Sequence, residues 1–299
     1  MSGTLAAEYI NGLQSQGVGA ALKHFAAHDQ SPMSIEDSIW MSERTLRELH
    51  LLPFQIAVRK SQPWAIMTAY HKINGVHASE NEVILDILRK EWGWNGCVIS
   101  DWYGTYSTSE AINAGLDLEM PGPTRFRGQL LSWLVLSRKV TEKALDEAVR
   151  NVLGLVDRVD LSQRQAKVRN NDNEESRKVC RDVAAQSIVL LKNKRNVLPL
   201  RKEKGIKYGL IGDHFKNPAV SGGGSADLTP YYVSTPFDAF VEAVGHESVR
   251  YEVGAYCELQ SIFSVSVLTP PSTSILATPQ IRSTHSQYKR ARSPTGMVF

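Results

Sequence analysis

Along residues 1–160, short apolar runs alternate with amphipathic stretches in a regular order. The spacing predicts a helix from Gly3 to Leu13, then a buried strand Val18-Gly19-Ala20-Ala21-Leu22 ending at Lys23-His24-Phe25. Ser42-Glu43-Arg44-Thr45-Leu46 opens a helix expected to carry Leu46, Leu49, Leu52 and Ile56 on one face. Ala65 to Ala69 reads as a second strand and Glu82 to Trp92 as a second long helix. Cys97 to Ser100 is a third strand, stopping at Asp101-Trp102. Thr108 to Ala114 is helical, and Leu116 to Met120 is a fourth strand closed by Pro121-Gly122-Pro123. Helices follow at about 127–137 and 141–157.

Short continuous apolar strands separated by helices imply a parallel sheet covered on both faces. Polar and aromatic residues gather just past the strand ends: Lys23-His24, Tyr70, Asp101-Trp102 and Glu119. A (β/α)₈ barrel builds its active site at that end of its strands, and a whole barrel takes about 250 residues. The pattern therefore predicts a partial TIM (β/α)₈ barrel in 1–160, with half the barrel missing on its N-terminal side. Residues 161–183 are polar and read as a linker running into a helix. Within 184–257, Ser187 to Leu191 and Tyr208 to Ile211 are expected core strands of a second α/β domain. Residues 258–299 are rich in Ser, Thr and Pro, nearly lack acids, and are expected to be disordered.

Composition narrows the classes little further. The 299 residues are 42% hydrophobic and 22% charged, an ordinary globular balance. No apolar run is long enough to span a bilayer, so no membrane partner is expected. The N-terminus lacks a basic segment followed by an apolar one, which predicts no secretory signal and, as written, a cytoplasmic chain. Secretion stays open for a longer parent. The net charge is +3, and part of the excess sits in Lys289, Arg290 and Arg292; with no recognition module beside it, nucleic-acid binding is not expected. Cys97, Cys180 and Cys257 form no metal motif, redox motif or disulfide framework, and Cys97 reads as a small buried hydrophobe. Nothing in the sequence sets an oligomeric state.

Five segments carry a specific resemblance. KHFAAHDQ (Lys23 to Gln30), MTAYHKINGVHASEN (Met67 to Asn81) and VISDWYGTYSTSEAINAGLDLEMPGP (Val98 to Pro123) resemble successive strand ends of family 3 glycoside hydrolases. AAQSIVLLKNKRNVLPL (Ala184 to Leu200) and SGGGSADLTPYYVSTPFDAF (Ser221 to Phe240) are similar to the start of that family's α/β-sandwich domain. The likeness is greatest to the fungal β-glucosidase branch. It implies a retaining hydrolase of terminal β-D-glucosyl units, acting on β-glucosides and cello-oligosaccharides, with no metal or organic cofactor. Such an enzyme uses one carboxylate as nucleophile and one carboxylic acid about 5–5.5 Å away.

The resemblance assigns the nucleophile to Asp101 of the Ser-Asp-Trp motif. A strand-end Asp capping the next turn is the plain alternative. Trp102 would wall the site with an apolar face, Lys23 and His24 would bind sugar hydroxyls, and Tyr70 would sit beside the nucleophile. Asp117 and Glu119 read as structural hydrogen-bond acceptors. The Ser221 to Ser225 loop lacks the ending of a phosphate-binding loop, and in the family it leans over the sugar, which makes Ser225 a candidate contact.

The chain also departs from the family pattern. The early strands that carry a sugar-holding Asp and Arg are absent, and Ser-Pro-Met-Ser after Gln30 replaces a segment that usually holds Glu residues and an Arg. The family's acid/base Glu lies further into the second domain than this sequence follows. The related β-N-acetylglucosaminidases use an Asp-Ser-His triplet where this chain has Asp37-Ser38-Ile39. The alternative to an active enzyme is thus an inactive truncated remnant, without turnover for want of the acid and half the barrel.

Overall fold

The computed structural model describes residues 1–30, 35–159, 172–203, 205–221 and 228–255. Two units are resolved, Met1–Val189 and Leu190–Phe299. The tail expected to be disordered, 258–299, Cys257 and the candidate contact Ser225 lie outside the described residues.

The first unit is an alternating α/β structure. Helix α1 (Ser2–Gln14) runs into strand β1 (Ala21–Phe25). The strand starts later than the apolar run suggests, and Val18 is exposed. The helix exit takes that stretch: Val18 N–H donates to Leu13 O at 3.4 Å, and Gly17 turns the chain with φ +72°. Next come β2 (Ser38–Ile39) and a long helix in three parts: α2 (Glu43–Thr45), a π-helical turn (Leu46–Leu51) and α3 (Leu52–Ser61). Ser42 caps it, its Oγ accepting from Thr45 N–H at 3.2 Å.

The expected apolar face of this helix needs correction. Leu49 and Leu52 are 66% and 43% exposed, while Leu46 and Leu51 are buried, followed by Ala57 and Val58. A π turn holds one residue more than an α turn, so the inward position moves from i+3 to i+5. Helix α1 packs on α3 at close range, since a Cβ on Gly3 would strike the Pro53 carbonyl.

Strand β3 (Ala65–Thr68) follows, then the small β4 (Lys72–Ile73) and β5 (Val76–His77), and α4 (Glu82–Asp86), extended by a second π turn over Ile87–Glu91. Strand β6 (Cys97–Ile99) leads to α5 (Ser109–Ala114), α6 (Gln129–Leu136) and α7 (Glu142–Arg158). The main sheet has the order β1-β3-β6, all parallel, with Ala21 opposite Ala65 and Ala65 opposite Cys97. Its core joins Phe25, Ile66 and Val98 from the strands to Leu51, Leu88 and Trp94 from the helical side. Cys97 is buried, and burial pushes its thiol up to about 12, as befits a packing residue.

The fourth strand does not form. Leu116 to Met120 makes only an isolated bridge, Ile99 to Leu118. Side chains stand in for ladder partners there. Asp117 Oδ2 accepts from Val98 N–H at 2.7 Å, and Ser100 Oγ accepts from Met120 N–H at 2.9 Å. Beyond α7, helix α8 (Glu174–Ser187) is capped by Asn173.

The strand expected at Ser187 to Leu191 is a further correction. Ser187 ends α8, and Ile188 to Leu191 are irregular and exposed. An apolar run becomes a strand only where a neighbour takes its backbone groups, and none does so here among the described residues. In the second unit β7 (Tyr208–Ile211) does form, parallel to β8 (Val249–Glu252), with α9 (Pro236–Val244) between them in sequence. Pro236 fills the first helical turn, and Thr235 Oγ1 accepts from Asp238 N–H at 3.0 Å.

Candidate active site

Asp101 follows β6 by two residues and is 4% exposed. Its backbone is pinned from several sides. Ser100 N–H donates to Leu118 O at 3.0 Å, and Ser100 Oγ donates to the Asp101 carbonyl at 2.9 Å. Gly104 N–H reaches the same carbonyl at 2.9 Å, in a turn where a Cβ on Gly104 would lie 3.2 Å from that oxygen. The carboxylate is held at both oxygens: Oδ1 accepts from Trp102 N–H at 2.7 Å, and Oδ2 lies 3.3 Å from His24 Nε2. One side chain thus caps its own turn and faces His24.

His24 comes from β1 and is half-buried. Burial is the main cause that lowers its proton affinity, and the Asp101 charge opposes it; Lys23 and His28 add to the lowering. The ring faces Asp101 through Nε2.

Tyr70, from the loop after β3, donates its hydroxyl to Trp102 O at 2.8 Å. Burial, then the charge of Asp101, holds its phenol well above the ordinary value. Trp102 is 38% exposed and presents part of its ring to solvent. Three of the four positions expected around Asp101 (His24, Tyr70 and Trp102) are brought into contact with it or with each other. Lys23 is not: it is exposed on β1, and among the described residues no hydrogen bond or ion pair holds its ammonium.

A second layer was not read from the sequence. Tyr106 stacks on His77, with ring centroids 3.6 Å apart and planes at 23°. Burial first, then Asp101 and Glu80, pushes the Tyr106 phenol up to about 12. His77 Nδ1–H donates to Tyr70 O at 3.1 Å, and Ser107 donates to Glu80. Both rings sit inside the quoted motifs, and the grouping of aromatic and polar residues past strand ends was the signal that could have found them.

The remaining carboxylates near the site are engaged. Asp117 has Arg89 Nη2 at 2.5 Å and Asn151 Nδ2 at 2.9 Å besides Val98 N–H. Glu119 accepts from Thr124 Oγ1 at 2.5 Å and from Arg125 N–H at 2.8 Å. Among the described residues, no group of three or more His, Cys, Asp or Glu side chains is arranged to hold a metal ion. No described helix is long and apolar enough to cross a membrane.

Residues 1–155 match the glycosyl hydrolase family 3 N-terminal domain, and residues 188–293 match the family's C-terminal domain. A probable beta-glucosidase K of Emericella nidulans is 50% identical over 90% of this chain, which covers 33% of the relative. A probable beta-glucosidase I of Aspergillus niger is 49% identical over 86% of the chain, covering 31% of its own length. The crystal structure of a Kluyveromyces marxianus beta-glucosidase in complex with glucose superposes with a TM-score of 0.76 at 43% identity. That match covers 84% of this chain and 31% of the other. Beta-glucosidase 3B of Thermotoga neapolitana, in complex with alpha-D-glucose, gives 0.73 at 35% identity, over 84% of this chain and 35% of that one. The chain thus spans about a third of the length of the relatives it matches.

Proposed function

The chain belongs to glycoside hydrolase family 3, and from that premise we propose that it carries the nucleophile half of a retaining β-glucosidase site, with Asp101 as the attacking carboxylate. The observation behind this reading is the placement of Asp101: buried past the end of a parallel strand, oriented by Trp102 N–H and His24, and flanked by Tyr70. The β1-β3-β6 sheet with the Leu118 bridge is read as successive staves of a (β/α)₈ barrel in residues 1–160. On the same reading 161–183 is a linker, and 184–257 opens the α/β-sandwich domain.

In such a reaction a carboxylate oxygen of Asp101 bonds to the anomeric carbon, and the glycosidic C–O bond breaks with its electron pair on the leaving oxygen. Water then releases the glucose and restores the carboxylate. The Trp102 N–H bond and the His24 contact hold Asp101 in one orientation, which lowers the cost of reaching the attack geometry. On this reading His24 and Tyr70 bind sugar oxygens, and Trp102 offers its ring to a pyranose face. Substrates are terminal β-D-glucosides and cello-oligosaccharides. The leaving oxygen also requires a general acid, worth roughly 10²–10⁴ in rate. Asp117 and Glu119 are committed to structural bonds, so neither is assigned that role.

The test avoids the need for the acid. A 2-fluoro-β-glucoside with an activated leaving group is incubated with the full chain, followed by intact-mass and peptide mapping. The expected result is one glycosyl label on Asp101, absent from Asp101→Asn. A label elsewhere, or none on a folded sample, overturns the reading.

A further inference from the structure

The loops after β3 and β6 meet at Trp102, in contacts that the proposed reaction does not itself use. The peptide unit joining Trp102 to Tyr103 is gripped at both ends. Trp102 O accepts from the Tyr70 hydroxyl at 2.8 Å, and Tyr103 N–H donates to Met120 O at 2.8 Å. Trp102 N–H, one peptide earlier, is the donor to Asp101 Oδ1. Tyr103 stands at φ +61°, in the left-handed region that a bulky side chain occupies only where its surroundings impose it. The Arg125 guanidinium lies over its ring, with Cζ 4.2 Å from the centroid. The turn that carries the carboxylate is thus set by outside supports, and Tyr70 is one of them.

Tyr70 is held in its turn by His77. The β4-β5 hairpin brings the two together: Lys72 pairs with His77, and Ala78 N–H donates to His71 O at 3.0 Å. A carbonyl only accepts, so the 3.1 Å contact between His77 Nδ1 and Tyr70 O places a proton on Nδ1. The Tyr106 hydroxyl reaches the same carbonyl at 3.5 Å, and its ring stacks on His77. The Tyr70 ring also meets His28, at 5.9 Å between centroids, and His28 Nδ1 lies 3.0 Å from His71 Nδ1. Donation to its carbonyl fixes the Tyr70 backbone, and with it the direction of the hydroxyl that grips Trp102.

We propose that His77 is a positioning residue: by donating from Nδ1 to Tyr70 O it holds the Tyr70 hydroxyl on the Trp102 carbonyl, and so keeps the turn at Asp101 oriented for attack. Only the identity of Asp101 as the reacting carboxylate is taken from the proposed function. Without that donor the Trp102–Tyr103 peptide loses its support from the β3 loop. Tyr103 then leaves the left-handed region, and Trp102 N–H turns away from Asp101.

The experiment compares two variants of the full chain. His77→Phe keeps a ring against Tyr106 but has no donor, whereas His77→Asn puts an amide N–H in place of Nδ1–H and has no ring. The first readout needs no substrate. A positive φ brings the amide and α protons of Tyr103 close together, which gives a strong NMR cross-peak between them. That cross-peak is expected in the unmodified chain and in His77→Asn, and weakened in His77→Phe. The second readout is the labelling of Asp101 by the activated 2-fluoro-β-glucoside. At saturating reagent His77→Phe should label about tenfold more slowly, with the half-saturating concentration changed far less, and His77→Asn should recover most of the rate. A cross-peak that persists in a folded His77→Phe, or that weakens equally in both variants, overturns the proposal. Should His77→Phe fail to fold by circular dichroism, the nitrogen-15 signals of the unmodified His77 ring decide: a proton on Nδ1 upholds the proposal, and one on Nε2 alone overturns it. A missing label in the unmodified chain, with the cross-peaks as expected, sinks the glycosidase reading and leaves the role of His77 standing.

Discussion

Asp101 shows how much a single side chain can be asked to do at a strand end. One oxygen caps the turn that carries Trp102, and the other faces His24. Asp101, His24, Tyr70 and Trp102 were legible because each lies in a motif that names it. The neighbours Tyr106, His77, His28 and His71 were not, because their contacts join loops that follow different strands, and no local pattern reports such a meeting. Lys23 was legible as a residue type, but its exposure on β1 was not. A pH dependence follows from the imidazoles. His24, His71 and His77 all hold protons less tightly than a free imidazole at 6.5, with burial the largest cause in each. Below that value the unfolded chain binds protons that the folded chain refuses, so stability is complete above about pH 6.5 and is lost as the pH falls through it. Thermal melts from pH 8 downward should show the transition temperature dropping below about 6.5, with a shallower drop in His71→Asn. A flat profile across that window would contradict the assignment.

At the scale of elements, most of the alternation was readable, since the strands are short apolar runs and the helices carry caps. What periodicity missed was the π turn at Leu46–Leu51, because counting by i+3 and i+4 assumes an α-helix throughout. The two assignments of the helix face differ sharply in energy. Leu51 is 1% exposed and belongs to the core, so Leu51→Ala should cost about 2–5 kcal/mol. Leu49 is 66% exposed, and Leu49→Ala should stay within about 0.5 kcal/mol. Denaturant titration of the two variants settles which face is inward; equal losses would restore the face read from the sequence. The absent strands have a common cause. An apolar run is only a candidate for a ladder, and Leu116 to Met120 and Ile188 to Leu191 lack the row of backbone partners that would complete one.

For the molecule as a whole, packing is uneven. In the first unit a shared core joins all three strands of the main sheet, whereas Leu210 is the buried apolar residue among those described in the second. The division between the units falls after Val189, beyond the polar stretch 161–183 read as a linker, and the solidity of each part was not legible either. The pins around Asp101 add a consequence for hydrogen exchange. Val98, Trp102 and Met120 each give their amide proton to a side-chain oxygen, from Asp117, Asp101 and Ser100 in turn. Those protons are guarded by groups that a point substitution can remove without unfolding the sheet. Deuterium should enter at Met120 faster in Ser100→Ala, and at Val98 faster in Asp117→Ala, while the amides of Ile66 and Met67 keep their protection. The isotope uptake of two backbone positions would then register the alignment of Asp101 in protein that has never met a sugar.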